Sequence, residues 1–291
     1  MGRRHPQGGH PHAAELAGAF FVTFATSPAD AVLVDAHVHV FTRDMPLVPN
    51  PRHSPDYSFT VEQLLDTMDR HGVHYAVIAA ASPWGDYNDY VLESLGKSAR
   101  LRGTIIADPS VEKVSLDAMH AAGMRGVRLP FIGLPELPDL DSWNYRKFLR
   151  RLVDLDWHVH VHIEGPRLPA VLPLLEQSGV KIVIDHIGRP DPVSGTASEG
   201  FQAMLRSVRR GRTWVKMSGA YRLGANAREC AQALYREVDV DRLMWASDCP
   251  FVGAESTMTY EAAIAWLEET IPDAADRRRI FGGNALRFYF S

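Results

Sequence analysis

From residue 32 onward the sequence alternates eight times between short runs rich in β-branched residues and longer stretches of helical periodicity. The runs are Val32-Leu33-Val34, Tyr75 to Ala80, Gly103 to Ala107, Gly126 to Leu129, Trp157 to Ile163, Val180 to Asp185, Thr213 to Met217 and Arg242 to Ser247. Strands separated by helices pair in parallel, and eight such units close a (β/α)8 barrel. The intervening segments carry helix signals of their own. Thr60 with Gln63 forms a capping box, Leu64, Leu65 and Met68 share a face, and Gly72 suits a C-terminal cap. Asp141 or Ser142 caps a later helix in which Tyr145, Phe148, Leu149, Leu152 and Val153 recur at helical spacing. An open doubly wound sheet is the competing architecture, but the glycine fingerprint of such a dinucleotide fold is absent after the first run. The fold class is therefore α/β: a (β/α)8 TIM barrel forming one domain over residues 31–291, with an N-terminal extension over residues 1–30.

The extension opens MGRRHPQGGHPH and continues into an apolar stretch from Ala17 to Ala25. Glu15 at the edge of that stretch argues against a cleaved signal, so a solvated arm or subunit-contact segment is the preferred reading. A net charge of -4 offers no global attraction to nucleic acid or to an anionic membrane. Cys230 and Cys249 are too few for a disulfide framework or a thiolate zinc site, which fits a reducing, cytoplasmic compartment. No apolar run approaches the roughly 20 residues of a membrane span. The expected partner is a small molecule, with assembly into a homo-oligomer left open.

In such a barrel the chemistry sits at the C-terminal ends of the strands. The first run leads into Asp35-Ala36-His37-Val38-His39, and side-chain alternation points His37 and His39 the same way. In the fifth run His158, His160 and His162 share a face, with His162 nearest the rim and the other two in the interior or at the N-terminal face. The sixth ends Asp185-His186 and the eighth Ser247-Asp248. Ring closure makes the eighth strand a neighbour of the first, so Asp248 is expected beside His37 and His39. A lone histidine at a strand end is usually structural. Five polar residues reaching one rim are read together as a site.

The ordered set resembles the amidohydrolase superfamily, in the branch of 2-pyrone-4,6-dicarboxylate lactonase-like hydrolases. The resemblance runs through Asp35 to Phe41, Gly126 to Leu129, Val183 to Pro190, Trp214 to Arg222, Trp245 to Pro250 and Gly283-Asn284-Ala285. It implies an enzyme that opens a cyclic ester, with His37, His39, His186 and Asp248 as the catalytic group. It also implies that Arg128 and Arg222 bind substrate carboxylate, with Ser82 and His162 as further substrate contacts. The sequence departs from the branch pattern at Pro130 and Leu134, where an Asn and a further Arg stand in the dicarboxylate enzyme, and at His53, where a Tyr is expected. These departures widen the substrate to carboxylated lactones in general, sugar-acid lactones included.

Ester hydrolysis needs a base for water and a positive or hydrogen-bonding site for the developing oxyanion. Asp248 is the candidate base. The histidines polarise the carbonyl directly, or through one zinc ion held by His37, His39, His162 and Asp248. Both versions stand open. The bridging Lys or Glu of two-metal members is replaced by Arg128-Leu129-Pro130, so the resemblance implies no dinuclear centre. Cys249 is read as a packed thiol. The alternative activities are a zinc-dependent decarboxylase and a sugar-acid lactone isomerase of the same superfamily.

Overall fold

The computed structural model describes residues 1–2 and 32–291, so the extension expected over residues 1–30, but for its first two residues, lies outside the described residues. Eight strands pair in parallel in chain order: β1 (Val34–Val38), β2 (Tyr75–Ile78), β3 (Leu101–Ile105), β4 (Met124–Pro130), β5 (His158–His162), β6 (Lys181–Ile184), β7 (Thr213–Met217) and β8 (Leu243–Trp245). The first strand begins two residues later than its apolar triplet suggests, because pairing starts at Val34 opposite Tyr75. The ring closes between β1 and the segment after β8. Val38 bridges Cys249, His39 N donates to Cys249 O at 2.8 Å, and Asp248 N donates to His37 O at 3.0 Å. The expected (β/α)8 barrel is the fold of the described chain.

Helices cover the outside for reasons visible in their residues. The helix Val61–Arg70 opens on a complete capping box between Thr60 and Gln63. Ser142, not Asp141, caps Trp143–Asp154 by accepting from Tyr145 N. That helix buries Phe148, Leu149 and Leu152, each worth roughly 1.5–3 kcal/mol against about 1 kcal/mol for a cap. Packing therefore holds the helix and the cap sets where it starts. Among the described residues no helix is long and apolar enough to cross a membrane.

The floor of the barrel is plugged by the last helix, Asn284–Tyr289. Asn284 Nδ2 donates to Val240 O and Leu243 O at the base of β8, and Tyr289 OH lies 3.1 Å from His160 Nε2. His158 stacks edgewise on Phe288 and Tyr289. Both lower histidines of β5 thus fill the interior, as expected. They fit because β4 offers no side chain opposite His158: a Cβ on Gly126 would lie 2.4 Å from the His158 ring.

Gly126→Ala should accordingly cost about 1–3 kcal/mol in denaturant unfolding, the usual penalty for overpacking. Adding His158→Ala should recover part of that loss beyond simple additivity. An unchanged midpoint for the single variant would show that the interior is not filled as described.

Candidate active site

Asp248 stands just past β8 with its two carboxylate oxygens in different surroundings. Oδ2 accepts from Tyr221 OH at 2.7 Å and from Arg222 Nε at 2.7 Å. Oδ1 faces three imidazoles instead: His39 Nε2 at 3.4 Å, His37 Nε2 at 3.6 Å and His186 Nε2 at 3.9 Å. Burial opposes charge on this carboxyl, but His186, Arg222, His39 and His37 hold it well below the usual range. It is ionised at neutral pH. The structure therefore brings the expected catalytic group together at the C-terminal rim, across the closing seam.

The backbone is bent to achieve this. Asp248 has φ 70°, and the turn after β6 takes His186, Ile187, Gly188 and Arg189 through φ 52°, 56°, 73° and 44°. Left-handed geometry costs about 1–2 kcal/mol per non-glycine residue, most for a β-branched one such as Ile187. Hydrogen bonds secure it: Gly188 N donates to Asp185 O, Arg189 N to His186 O, and Gly165 N to Arg189 O. Strain kept in place by such bonds is characteristic of functional rims. Gly219 completes the fit, because a Cβ there would lie 2.6 Å from His186 Nδ1.

The second ring nitrogens decide what the cluster can do. His39 Nδ1 lies 2.7 Å from Ala79 O, which can only accept, so Nδ1–H donates there and Nε2 faces the cluster. His186 Nδ1 pairs with Ser218 Oγ at 2.9 Å, and burial lowers its pKa to about 4, keeping it neutral. His37 is also held low, by burial and then by Lys216. Its Nδ1 has two partners, Lys216 Nζ at 2.9 Å and Asp185 Oδ1 at 3.3 Å. An ammonium donating to Nδ1 places the imidazole proton on Nε2, where it can bond an oxyanion. A carboxylate accepting from Nδ1 frees the Nε2 lone pair for a cation.

Sequence reasoning names neither Lys216, Asp185 nor Tyr221 as a site residue. Lys216 Nζ also lies 3.2 Å from His160 Nδ1 and 3.2 Å from Asp185 Oδ1, and burial brings its pKa down to about 8. The available signal is a lysine between Val215 and Met217, on the inward face of a barrel strand. Burial pushes the Asp185 carboxyl upward, but Lys216, His37 and Arg128 together hold it well below the usual range.

The expected substrate residues are placed differently from one another. Arg128 is buried and committed to the protein: Nε to Asp185 Oδ2, Nη1 to Ala80 O, and Nη2 facing His162 Nδ1 at 3.2 Å. Arg222 binds Asp248 through Nε and Val252 O through Nη2. Both line the cavity, and these bonds brace the site. Ser82, in the turn after β2, and His162 line the same cavity with His39, His53, Arg52 and Asp248. Burial pushes the Cys249 thiol well up, in keeping with a packed side chain.

His37 Nε2, His39 Nε2 and Asp248 Oδ1 form a triangle with sides of 3.2, 3.4 and 3.6 Å. Zinc bonds of about 2.0–2.2 Å at tetrahedral angles set donors roughly 3.3–3.5 Å apart, so the donor set fits one small divalent ion. His162, expected as a fourth ligand, falls outside the two groups of clustered donors among the described residues; its Nδ1 faces Arg128, while its Nε2 is buried without a hydrogen-bond partner. A second group, His37 with Asp185 and His186, has the Lys216 ammonium 3.2 Å from Asp185 Oδ1, which repels a cation.

The protein-family model described as Amidohydrolase matches residues 34–290. The 2-pyrone-4,6-dicarboxylate hydrolase of Comamonas testosteroni is 28% identical over 282 residues, covering 90% of this chain and 91% of its own. A 4-sulfomuconolactone hydrolase of Hydrogenophaga intermedia is 26% identical over 266 residues, covering 88% of each chain. Among solved structures, a probable 2-pyrone-4,6-dicarboxylic acid hydrolase from Acinetobacter baumannii with citric acid bound superposes with a TM-score of 0.84 at 30% identity. That match covers 88% of this chain and 98% of the other. A protein described as a 2-pyrone-4,6-dicarboxylic acid hydrolase from Pseudomonas putida gives 0.82 at 33%, covering 89% and 97%.

Five buried histidines, His37, His158, His160, His162 and His186, have pKa values held below the ordinary one, chiefly by burial. Unfolding restores ordinary imidazoles, which take up protons as pH falls through about 6.5 while the folded rings stay neutral. Stability should therefore be unaffected by these groups above that pH and fall steeply below it, by up to about 1.4 kcal/mol per pH unit for each ring. Urea midpoints at pH 7.5, 6.0 and 5.0 in the presence of chelator measure the slope, and His158→Gln should reduce it. A midpoint constant from pH 7 to 5 would contradict the neutral cluster.

Proposed function

We propose that this chain, which belongs to the amidohydrolase family, is a hydrolase that opens an anionic lactone using Asp248 as the base. The observation that carries this reading is the division of the Asp248 carboxylate. One oxygen is immobilised by Tyr221 and Arg222 and the other is left facing His37, His39 and His186. A carboxylate so fixed can align a water between itself and a carbonyl resting on the imidazoles. Support for a cyclic ester comes from relatives whose names specify lactone hydrolysis over most of the chain.

Asp248 Oδ1 takes a proton from water as the oxygen attacks the lactone carbonyl. The ring C–O bond then breaks, and the same proton passes to the departing ring oxygen, giving a hydroxy acid or its keto form. A carboxyl held well below its usual range is always ionised but is a weak base. Carbonyl activation must therefore carry much of the barrier. With Lys216 donating to His37 Nδ1, the His37 Nε2–H is a donor aimed at the cluster. A preorganised donor of this kind is worth about 10²–10³ in rate. A divalent cation bound by His37, His39 and Asp248 would supply Lewis-acid polarisation and a more acidic water.

Acid release measured across a panel of lactones, carboxylated and methyl-esterified, tests the reaction. Asp248→Asn should lower kcat by about 10²–10⁴, the usual contribution of a general base, while still binding a ring-opened acid. Retention of more than a tenth of the rate would remove Asp248 from that role. Appearance of isomers without acid would overturn hydrolysis. Chelation followed by Zn²⁺ assigns the polarising group: loss with recovery points to a cation, an unchanged rate to the imidazoles.

A further inference from the structure

His162 ends β5 with its ring in the wall of the catalytic cavity, only 2% exposed, and its two nitrogens meet different surroundings. Nδ1 lies 3.2 Å from Arg128 Nη2. A guanidinium can only donate, so Nδ1 must accept, and the proton of the neutral imidazole is placed on Nε2. Burial, with Arg128 and His186 nearby, holds the ring well below its ordinary pKa and so keeps it neutral. Arg128 is fixed in this duty, because its Nε donates to Asp185 Oδ2 and its Nη1 to Ala80 O.

The Nε2–H that results has no hydrogen-bond partner among the described residues. Leaving a buried donor unpaired is unfavourable, and in a native structure such a group calls for a reason. Ligation is not that reason here: the Nδ1 lone pair is engaged by Arg128, and Nε2 carries the proton.

We infer that His162 Nε2–H is the donor for the departing ring oxygen of the lactone, in a tautomer that Arg128 imposes. The inference rests on the hydrolase reading and adds to it one catalytic residue, His162, and one positioning residue, Arg128. A lactone presents two oxygens at its scissile carbon. The imidazoles of His37, His39 and His186, gathered around Asp248 Oδ1, receive the carbonyl oxygen. The ring oxygen is bonded to the same carbon, so its partner must stand next to that cluster without belonging to it. His162 does so: its ring is perpendicular to that of His186, with centroids 5.4 Å apart. As the C–O bond breaks, its electron pair passes to the ring oxygen, and the Nε2–H bond supports the new charge until the proton held by Asp248 arrives. His162 keeps its own proton throughout. The demand is greatest for an oxygen leaving as alkoxide, since a phenoxide already spreads its charge over the ring.

The test compares carboxylated δ-lactones, whose ring oxygen leaves as an alkoxide, with dihydrocoumarin carboxylates, whose ring oxygen leaves as a phenoxide. His162→Phe should lower kcat for the first class by about 10²–10³, the usual effect of removing one preorganised donor, and for the second by less than about tenfold. His162→Gln should restore much of the difference, because its amide oxygen can accept from Arg128 and turn its N–H groups to the cavity. Equal losses in both classes, or no loss in either, would overturn the assignment. The tautomer is read separately by ¹⁵N NMR of the full wild-type chain, with the His162→Gln spectrum identifying the signal. A proton on Nε2 is expected, and a proton on Nδ1 would overturn the assignment even if His162→Phe fails to fold. Should the wild type open neither class, the hydrolase reading fails and takes this role with it. Should both classes be opened with the usual dependence on Asp248 but without the split, that reading stands and the role of His162 alone is refuted.

Discussion

Everything at the rim depends on a buried carboxylate at the seam between the first and last strands. Asp35 Oδ1 accepts from His37 N at 3.1 Å and from Ser247 N at 3.0 Å, while Oδ2 accepts from Tyr260 OH at 2.6 Å. One side chain thus ties β1, the segment after β8 and the helix Tyr260–Thr270 together. These bonds add to the two backbone bonds across the joint, His39 N to Cys249 O and Asp248 N to His37 O, and burial pushes the Asp35 carboxyl up while the bonds from Ser247, Tyr260 and His37 pull it back. Some two hundred residues separate the two histidines that follow Asp35 from Asp248. They share a pocket because this seam is latched.

Beneath the catalytic group lies a polar layer where barrels of this kind usually pack branched apolar residues. Lys216, Asp185, Arg128, His160 and Tyr289 run from the cluster down to the floor in continuous contact. Buried ion pairs are poor sources of stability, since desolvation offsets most of the attraction. Their service here is orientation. Lys216 and Asp185 compete for one nitrogen of His37, and that choice sets whether the opposite nitrogen offers a proton or a lone pair to whatever enters the pocket. The same residues thus suit direct carbonyl activation and metal-assisted activation.

Much of this is legible in the sequence alone. Strand and helix alternation specifies the barrel, and the spacing of His37 and His39 specifies their shared face, because periodicity reports local geometry faithfully. Ring topology then predicts Asp248 beside them. The partners of side chains are less accessible. Arg128 and Arg222 look like free cations in sequence, yet each is engaged by groups from other strands, and His162 turns to Arg128. Lys216 escapes notice because alternation tells which face a residue occupies and nothing about what lies across the barrel. Pairing inside a closed ring is set by all eight strands at once.

The position of Tyr289 and Asn284 has a consequence for biosynthesis. The groups that finish the barrel, Asp248 after β8 and the plug that reaches His160, follow every other element of the ring in chain order. A nascent polypeptide that has left the ribosome only as far as β7 holds an open edge and an unsealed base. Asp248 can meet His37 and His39 only after the segment following β8 has been made, and the base of the ring is filled only when Tyr289 has reached His160.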